Sequence, residues 1–423
     1  MLSVQYVGRS FFPLDEELGL LPGSLTAHSQ ECLVRLGAWM PFERAAELLA
    51  DMLGVQVSKS KGERYSETAG AAYVAMQTEE AEWIEREAPP ALPGYDKLVM
   101  SADGAMVPLQ HGEWAEVKSL VIGEVAPAVQ ENGEWVVHSR NLSYFSRLVD
   151  SERFEQLSLS EVHRRGVEKS KRVAAVMDGA DWLQSLVDYH RPDAVRILDF
   201  PHAGQRVGEI GQAIWGEGSP EAAQWTGECL HELKHQGPQN VLTQLHSLKE
   251  QYPALEVVAE NLAYLEKREA QIQYPTFQQQ GWPIGSGIVE SGNKLVVEAR
   301  LKGAGMHWKR TNVDPMLALR NIICSDRWHQ EWPKIQQRLG QQAKQRHKAL
   351  REKHRASKIP IVPEVSLLPP GLVPLPPPEP LRMTEAVPIA VKPTGSQKPA
   401  DNHIWRRSPI GRARYRPSSS AKK

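Results

Sequence analysis

The chain has 423 residues, 41% of them hydrophobic and 24% charged, with 50 lysines and arginines against 51 aspartates and glutamates. At roughly 100 to 200 residues per domain this length implies two or three folded units, and the near-average composition excludes a mini-protein, a fibrous repeat and global disorder. The charge balance means that any surface for nucleic acid must come from local clustering of basic residues.

Cys32, Cys229 and Cys324 form no CxxC pair and no even disulfide framework, which predicts a reducing cytoplasm. No apolar run approaches the roughly 18 residues of a membrane span, and the opening MLSVQYVGRSFF lacks the apolar core of a secretory signal. Neither a membrane partner nor export is expected.

Residues 1–90 are expected to form a helical, DNA-binding domain. PFERAAELLADMLG places Phe42, Ala45, Leu48, Leu49 and Leu53 on one face at helical spacing, and Gly54 ends the helix. Ser58 or Ser60 can cap a second helix that carries Lys59, Lys61 and Arg64 in its first turns. A helix, a short turn and a basic second helix are the parts of a helix-turn-helix, whose second helix can enter a major groove. An ordinary helical hairpin has the same pattern.

APPALPG, residues 88–94, reads as a linker. Strands are predicted at KLVMSAD (97–103), EVKSLVIGEV (116–125) and EWVVHS (134–139), with ENG at 131–133 suited to a hairpin. A helix through FEQLSLSEVHRRGVEKSK follows, then strand RVAAVMD (172–178), helix ADWLQSLVDYH and strand AVRILD (194–199). Strand, strand, strand, helix, strand, helix, strand is the connectivity of the ribonuclease H-like fold, an α/β mixed sheet with helices on both faces. The first part of that domain spans 95–204. Residues 205–280 read as a helical insertion, with LTQLHSLKEQ and AENLAYLEKREAQI the clearest amphipathic segments, and 281–358 completes the domain. Residues 359–423 are expected to be a proline-rich linker and a disordered basic tail, in which Arg406, Arg407, Arg412, Arg414, Arg416, Lys422 and Lys423 with Trp405 and Tyr415 suit phosphates and bases.

Three apolar runs of the middle domain end in an aspartate, at Asp103, Asp178 and Asp199. In open sheets with parallel strands, ligands bind beyond the carboxyl ends of the strands, so these side chains should meet in one crevice. Hard divalent cations such as Mg²⁺ or Mn²⁺ take oxygen ligands, and two ions about 4 Å apart suit phosphodiester chemistry. Neighbouring strands lie about 4.8 Å apart and next-nearest ones nearly twice that. With the first strand paired to the fourth, Asp103 and Asp178 are the better metal pair. Asp199, followed by His202, would orient a ligand or a phosphate. Capping is the plain alternative for Asp199, and also for Asp181.

A third carboxylate is expected from WPIGSGIVESGNKLVVEARLKGAGMHWKR, residues 282–310. Ser286 or Gly287 can start a helix with Glu290 in its first turn and Asn293, Lys294 and Val297 on the same side; Glu298 is the competing acid. Lys294, Arg300, Lys302, Lys309 and Arg310 with Trp308 form a basic and aromatic patch suited to DNA.

The blocks SADGAMVP, VMDGADWL and ILDFPHAGQ, and above all WPIGSGIVESGNKLVVEARLKGAGMHW, resemble the DDE transposases of bacterial insertion sequences, of the ISKra type within the Mutator-like group. The resemblance covers about 95–325. It implies two Mg²⁺ or Mn²⁺ ions held by Asp103, Asp178 and Glu290, with Asp199 able to replace Asp178, and a D-x-x-H signature at Asp199 and His202. It also implies cleavage and strand transfer on double-stranded DNA, at terminal inverted repeats and a target, by a homo-oligomer in a synaptic complex on the nucleoid. A structure-specific nuclease on the same core, or an inactive DNA-binding regulator derived from a transposase, would carry the same residues. A cysteine hydrolase on Cys32 or Cys229 has no local signature, and GSGIVESG lacks the GK[ST] ending of a phosphate loop.

Overall fold

The computed structural model describes residues 4–6, 9–11, 25–131 and 133–356. The chain divides into two units, 1–358 and 359–423; the second, with the proline-rich segment and the basic tail, lies outside the described residues.

A short antiparallel pair, β1 (Val4–Tyr6) and β2 (Arg9–Phe11), precedes three helices, α1 (Ala27–Trp39), α2 (Phe42–Leu53) and α3 (Lys59–Glu87). Gly54 ends α2 with φ 67°, a left-handed backbone that favours glycine, and the Ser58 hydroxyl caps α3 by accepting the Lys61 amide at 3.2 Å. The helix pair read from sequence is therefore present. Its buried stripe is narrower than expected: Phe42, Ala45 and Leu49 are buried, joined by Ala46, whereas Leu48 and Leu53 are exposed. Helix α3 runs for 29 residues. Leu33, Leu49, Ala69 and Tyr73 share a core with Leu319, Ile322, Trp332 and Ile335, so the N-terminal helices pack with the last helices of the same unit.

The central sheet contains β3 (Lys97–Pro108), β4 (Trp114–Val125), β7 (Ser139–Arg147), β8 (Arg172–Met177) and β9 (Val195–Leu198), in the order β7-β4-β3-β8-β9. Pairing is antiparallel from β7 to β3 and parallel from β3 to β9, so the fold is α/β with a mixed sheet. The first sheet strand pairs with the fourth, and the fifth lies one strand further out. The third strand corrects the sequence reading. Residues 134–136 belong to a separate ribbon of β5 (Val129–Glu131) and β6 (Glu134–Val136), and the sheet strand is Ser139–Arg147. Alternation in β3 then assigns the faces. Leu98, Met100 and Ala102 pack with α4 (Ser151–Arg164) and α5 (Asp181–His190) through Phe154, Leu157, Leu183 and Leu186.

On the other face, Val99, Val176 and Ile197 meet the helical insertion, α6 (Phe200–Trp215), α7 (Pro220–His235), α8 (Pro238–Gln251), α9 (Glu256–Glu266) and α10 (Tyr274–Gln279). Ala105, Val107, Val117 and Val121 on that face meet α11, a continuous helical run over 287–301, and α12 (Arg310–Cys324). The middle of α11, Asn293–Glu298, is a π-helical turn. Its carbonyls at Leu295 and Val296 accept hydrogen bonds from the buried Arg320 guanidinium. Helix α13 (Trp328–Ala356) closes the described chain.

A buried ionic cluster fastens these parts. Arg327 donates to both oxygens of Glu161, at 3.0 and 2.8 Å, and Arg164 donates to Glu80 at 2.7 Å and to the Tyr73 hydroxyl at 3.2 Å. Glu161 is fully buried. Burial pushes its carboxyl upward, but Arg327 and Arg164 outweigh that and hold it below the usual carboxylate range.

Candidate active site

The first sheet strand, expected from sequence to end at Asp103, runs on as β3 to Pro108; Asp103 lies mid-strand, three residues beyond the part of β3 paired with β8, and Asp178 follows the end of β8, each half-buried. Asp103 Oδ1 accepts the Gly104 amide at 2.7 Å and Oδ2 accepts Asn293 Nδ2 at 3.1 Å. Asp178 Oδ1 accepts the Ala180 amide at 2.8 Å. Burial raises the Asp103 carboxyl above its usual value and the charge of Asp178 adds to the rise, opposed by the Gly104 amide, His202 and Asn293. Neither aspartate has a lysine or arginine partner among the described residues. Two like charges so placed are unfavourable until a cation joins them.

Asp199 is wholly buried, and both its oxygens are occupied. Oδ1 accepts the Ser286 amide; Oδ2 accepts the His202 amide at 3.2 Å and lies 2.8 Å from His202 Nδ1. Burial works upward on this carboxyl, but the hydrogen bonds from His202 and Ser286 prevail and hold it low. The hydrogen bond to Asp199 in turn raises His202 above its ordinary value against burial, with Asp178 and Asp103 contributing to the rise. Asp199 thus caps α6, orients His202 and pins the approach to α11, where the Phe200 amide also donates to Ile284 O at 2.9 Å. With its oxygens filled, Asp199 is less suited than Asp178 to hold a cation. Asp181, expected as a cap, is the first residue of α5 and faces Lys267 at 3.5 Å; the cap position is Ala180.

Helix α11 starts after Ser286, lies across β3 and β4, and carries Glu290 one turn before Asn293, the residue bonded to Asp103. Glu290 itself is exposed and outside the hydrogen-bonded set. Among the described residues no three histidine, cysteine, aspartate or glutamate side chains are gathered closely enough to hold one metal ion. Glu298, the competing acid, is engaged by Lys302 at 2.7 Å.

The basic residues divide into two sets. Lys59, Arg64, Lys294, Lys309 and Arg310 are exposed, and Lys61 is half-buried with its ammonium 6.0 Å from the Tyr65 ring centre. Lys302 is half-buried in its pair with Glu298. Arg300 and Trp308, expected on the DNA-facing patch, are interior. The guanidinium lies 4.7 Å from the Phe42 ring and 5.0 Å from the Trp308 ring, and it donates to Gly37 O at 2.9 Å. The indole of Trp308 donates to Leu301 O at 3.0 Å. Both residues join α11 to the N-terminal helices, because their apolar bodies fill the gap around Phe42.

No family model matches the chain, and no curated protein matches it.

Side-chain chemistry separates the thiols from the acids. Cys32 Sγ lies 3.7 Å from His28 Nε2, yet burial and Glu31 push the thiol up, and burial pushes Cys229 up to about 12. An activated cysteine needs the opposite shift. One further site residue escaped the sequence reading. Arg268 of the insertion donates to Gly179 O and to Tyr264 O, bracing the Asp178 turn. The signal was the glycine of VMDGADWL: a Cβ on Gly179 would collide with the Arg268 and Tyr264 side chains.

Proposed function

We propose that this chain is a DDE-type transposase, cutting and joining DNA strands at the crevice of Asp103, Asp178 and Glu290 on a ribonuclease H-like core. One observation carries the reading. Two partly buried carboxylates, Asp103 just beyond the parallel-paired part of β3 and Asp178 just after the adjacent β8, stand without a lysine or arginine partner, beside a helix that binds one of them through Asn293 and carries Glu290 a turn earlier. The strand order with its antiparallel-to-parallel switch supports the fold assignment.

The two aspartates fit magnesium or manganese. Their oxygens are hard ligands, and the raised Asp103 carboxyl reflects a charge that a divalent cation would neutralise. Asp103 and Asp178 would hold the cation, and Glu290, exposed a turn before Asn293, is the third acid the reading requires to join them. Bound there, the cation supplies an activated water and charge stabilisation at the phosphate. The protein's own residues do the rest. Asn293 and the Gly104 amide fix the Asp103 carboxylate, the Ala180 amide and Arg268 fix Asp178, and Asp199 holds His202 beside both acids. Exposed Lys294, Lys309 and Arg310 on α11 and at the start of α12, with Lys59, Lys61 and Arg64 on α3, would contact DNA phosphates.

The test is cleavage and joining of a duplex bearing the DNA that flanks the gene, in Mg²⁺ or Mn²⁺. Wild-type protein is expected to nick this duplex and join its 3′ end to a second DNA. Asp103→Asn and Glu290→Gln should lose cleavage while retaining DNA binding. Wild-type cleavage by either variant would reject the triad, and nicking without joining would favour a nuclease.

A further inference from the structure

The turn that carries Asp178 is held from two sides. Arg268 grips it from the insertion. On the opposite face of the sheet, Lys118 of β4 approaches Trp182, the second residue of α5, with Nζ 5.4 Å from the ring centre. Strands β4 and β8 flank β3 on opposite sides, so a β4 side chain that reaches the helix following β8 passes over β3. Lys118 is paired in register with Gly104, where β3 has no side chain to block the crossing. A Cβ on Gly104 would collide with the carboxylate of Glu116, which accepts from Lys118 Nζ at 2.8 Å. Lys118 is only 7% exposed. It offers little of its charge to solvent or to a DNA strand, and its partners are Glu116 and the indole face.

The brace joins the two segments that matter. Gly104 adjoins Asp103 in β3, and Trp182 lies four residues after Asp178. We propose that Lys118 is a positioning residue, which with Glu116 spans β3 at Gly104, clamps Trp182 and thereby sets the separation of Asp103 and Asp178. This rests on reading that pair as a site for divalent cations. An ammonium held on an indole face in a desolvated setting keeps its geometry because the ring quadrupole attracts it, and partners that orient metal-binding carboxylates typically change metal affinity 10- to 100-fold when removed.

The experiment is Mn²⁺ titration of the full-length protein, with unbound Mn²⁺ read by electron paramagnetic resonance and folding checked by thermal melts in chelator. Wild-type binding should disappear in Asp103→Asn. Lys118→Met and Trp182→Leu should each weaken it about 10-fold, while Lys118→Arg and Trp182→Phe, which keep a cation and an aromatic face, should restore most of it. Should Lys118→Met fail to fold, the Trp182 pair tests the same contact. Unchanged Mn²⁺ binding in folded Lys118→Met and Trp182→Leu overturns the brace while leaving the cation site standing. Tighter binding in Lys118→Met would mean that Lys118 acts only by repelling the ion, and equal loss in the Arg and Phe variants would mean general structural damage; both overturn it. Wild-type protein with no Mn²⁺ binding sensitive to Asp103→Asn removes the cation site and the brace together.

Discussion

Two groups of charged side chains lie inside this molecule, and they are built on opposite rules. Around Glu161 every acid has its base: Arg327 takes both oxygens of Glu161, Arg164 reaches Glu80 and Tyr73, and the carboxyl is held low despite complete burial. Beside α11, Asp103 and Asp178 have amides and an asparagine but no lysine or arginine among the described residues, and Asp103 is pushed high. The same functional group therefore titrates in opposite directions. The difference lies in the second partner. An acid closed off by arginine has no coordination left to offer, whereas one held only by neutral donors retains its demand for a cation. The first arrangement fastens helices; the second leaves a charge that a cation can join.

The largest expected effect breaks the crevice. Asp103→Asn should reduce DNA cleavage by about three orders of magnitude or more, the scale of several kcal/mol of charge stabilisation in the transition state. Its melting temperature in chelator should stay equal or rise, because one of two uncompensated like charges has gone. A clear drop in melting temperature would place Asp103 among the structural acids and dissolve the contrast. The next effect breaks the cluster. Glu161→Gln leaves Arg327 buried without its partner and should cost about 3–5 kcal/mol in urea unfolding, with cleavage per folded molecule unchanged. A loss below about 1 kcal/mol would show that the cluster is not what ties α4 to the terminal helices.

Much of this contrast was legible in the sequence on one side only. The apolar runs before Asp103 and Asp178 mark both strands, but β3 continues past Asp103 to Pro108 because Ala105, Met106 and Val107 keep pairing with β4. The insertion helices and the Gly54 stop were equally local. What was not legible depends on partners far along the chain. Glu161 pairs with Arg327 across 166 residues, and no local pattern marks either. Arg300 reads as a surface cation because cations usually are, yet Phe42 and Trp308 give it a stacked interior place. The third sheet strand was mistaken for the hairpin before it, since EWVVHS has the stronger strand composition while RNLSYFSR opens with polar residues. Leu48 and Leu53 fit the helical stripe, but only tertiary contact decides how wide that stripe is.

The smallest effect is in pH dependence, and there the two groups should differ in sign. The folded Glu161 carboxyl lies below its unfolded value of about 4.3, so its contribution is complete above that pH and is lost as the pH falls through the lowered folded value. The folded Asp103 carboxyl lies above its unfolded value of about 3.9. On acidification the native state takes up that proton first, which relieves the penalty of burial, so this site stabilises the fold as the pH drops through its raised value. Each term is isolated by subtracting variant from wild-type stability in chelator, which removes titrations common to both, such as that of buried His190. The wild-type advantage over Glu161→Gln should shrink below about pH 4.3, while the balance between wild type and Asp103→Asn should shift toward wild type as acid is added. Parallel curves would mean that both acids are paired alike in solution, and the crevice would lose its claim to an unmet charge.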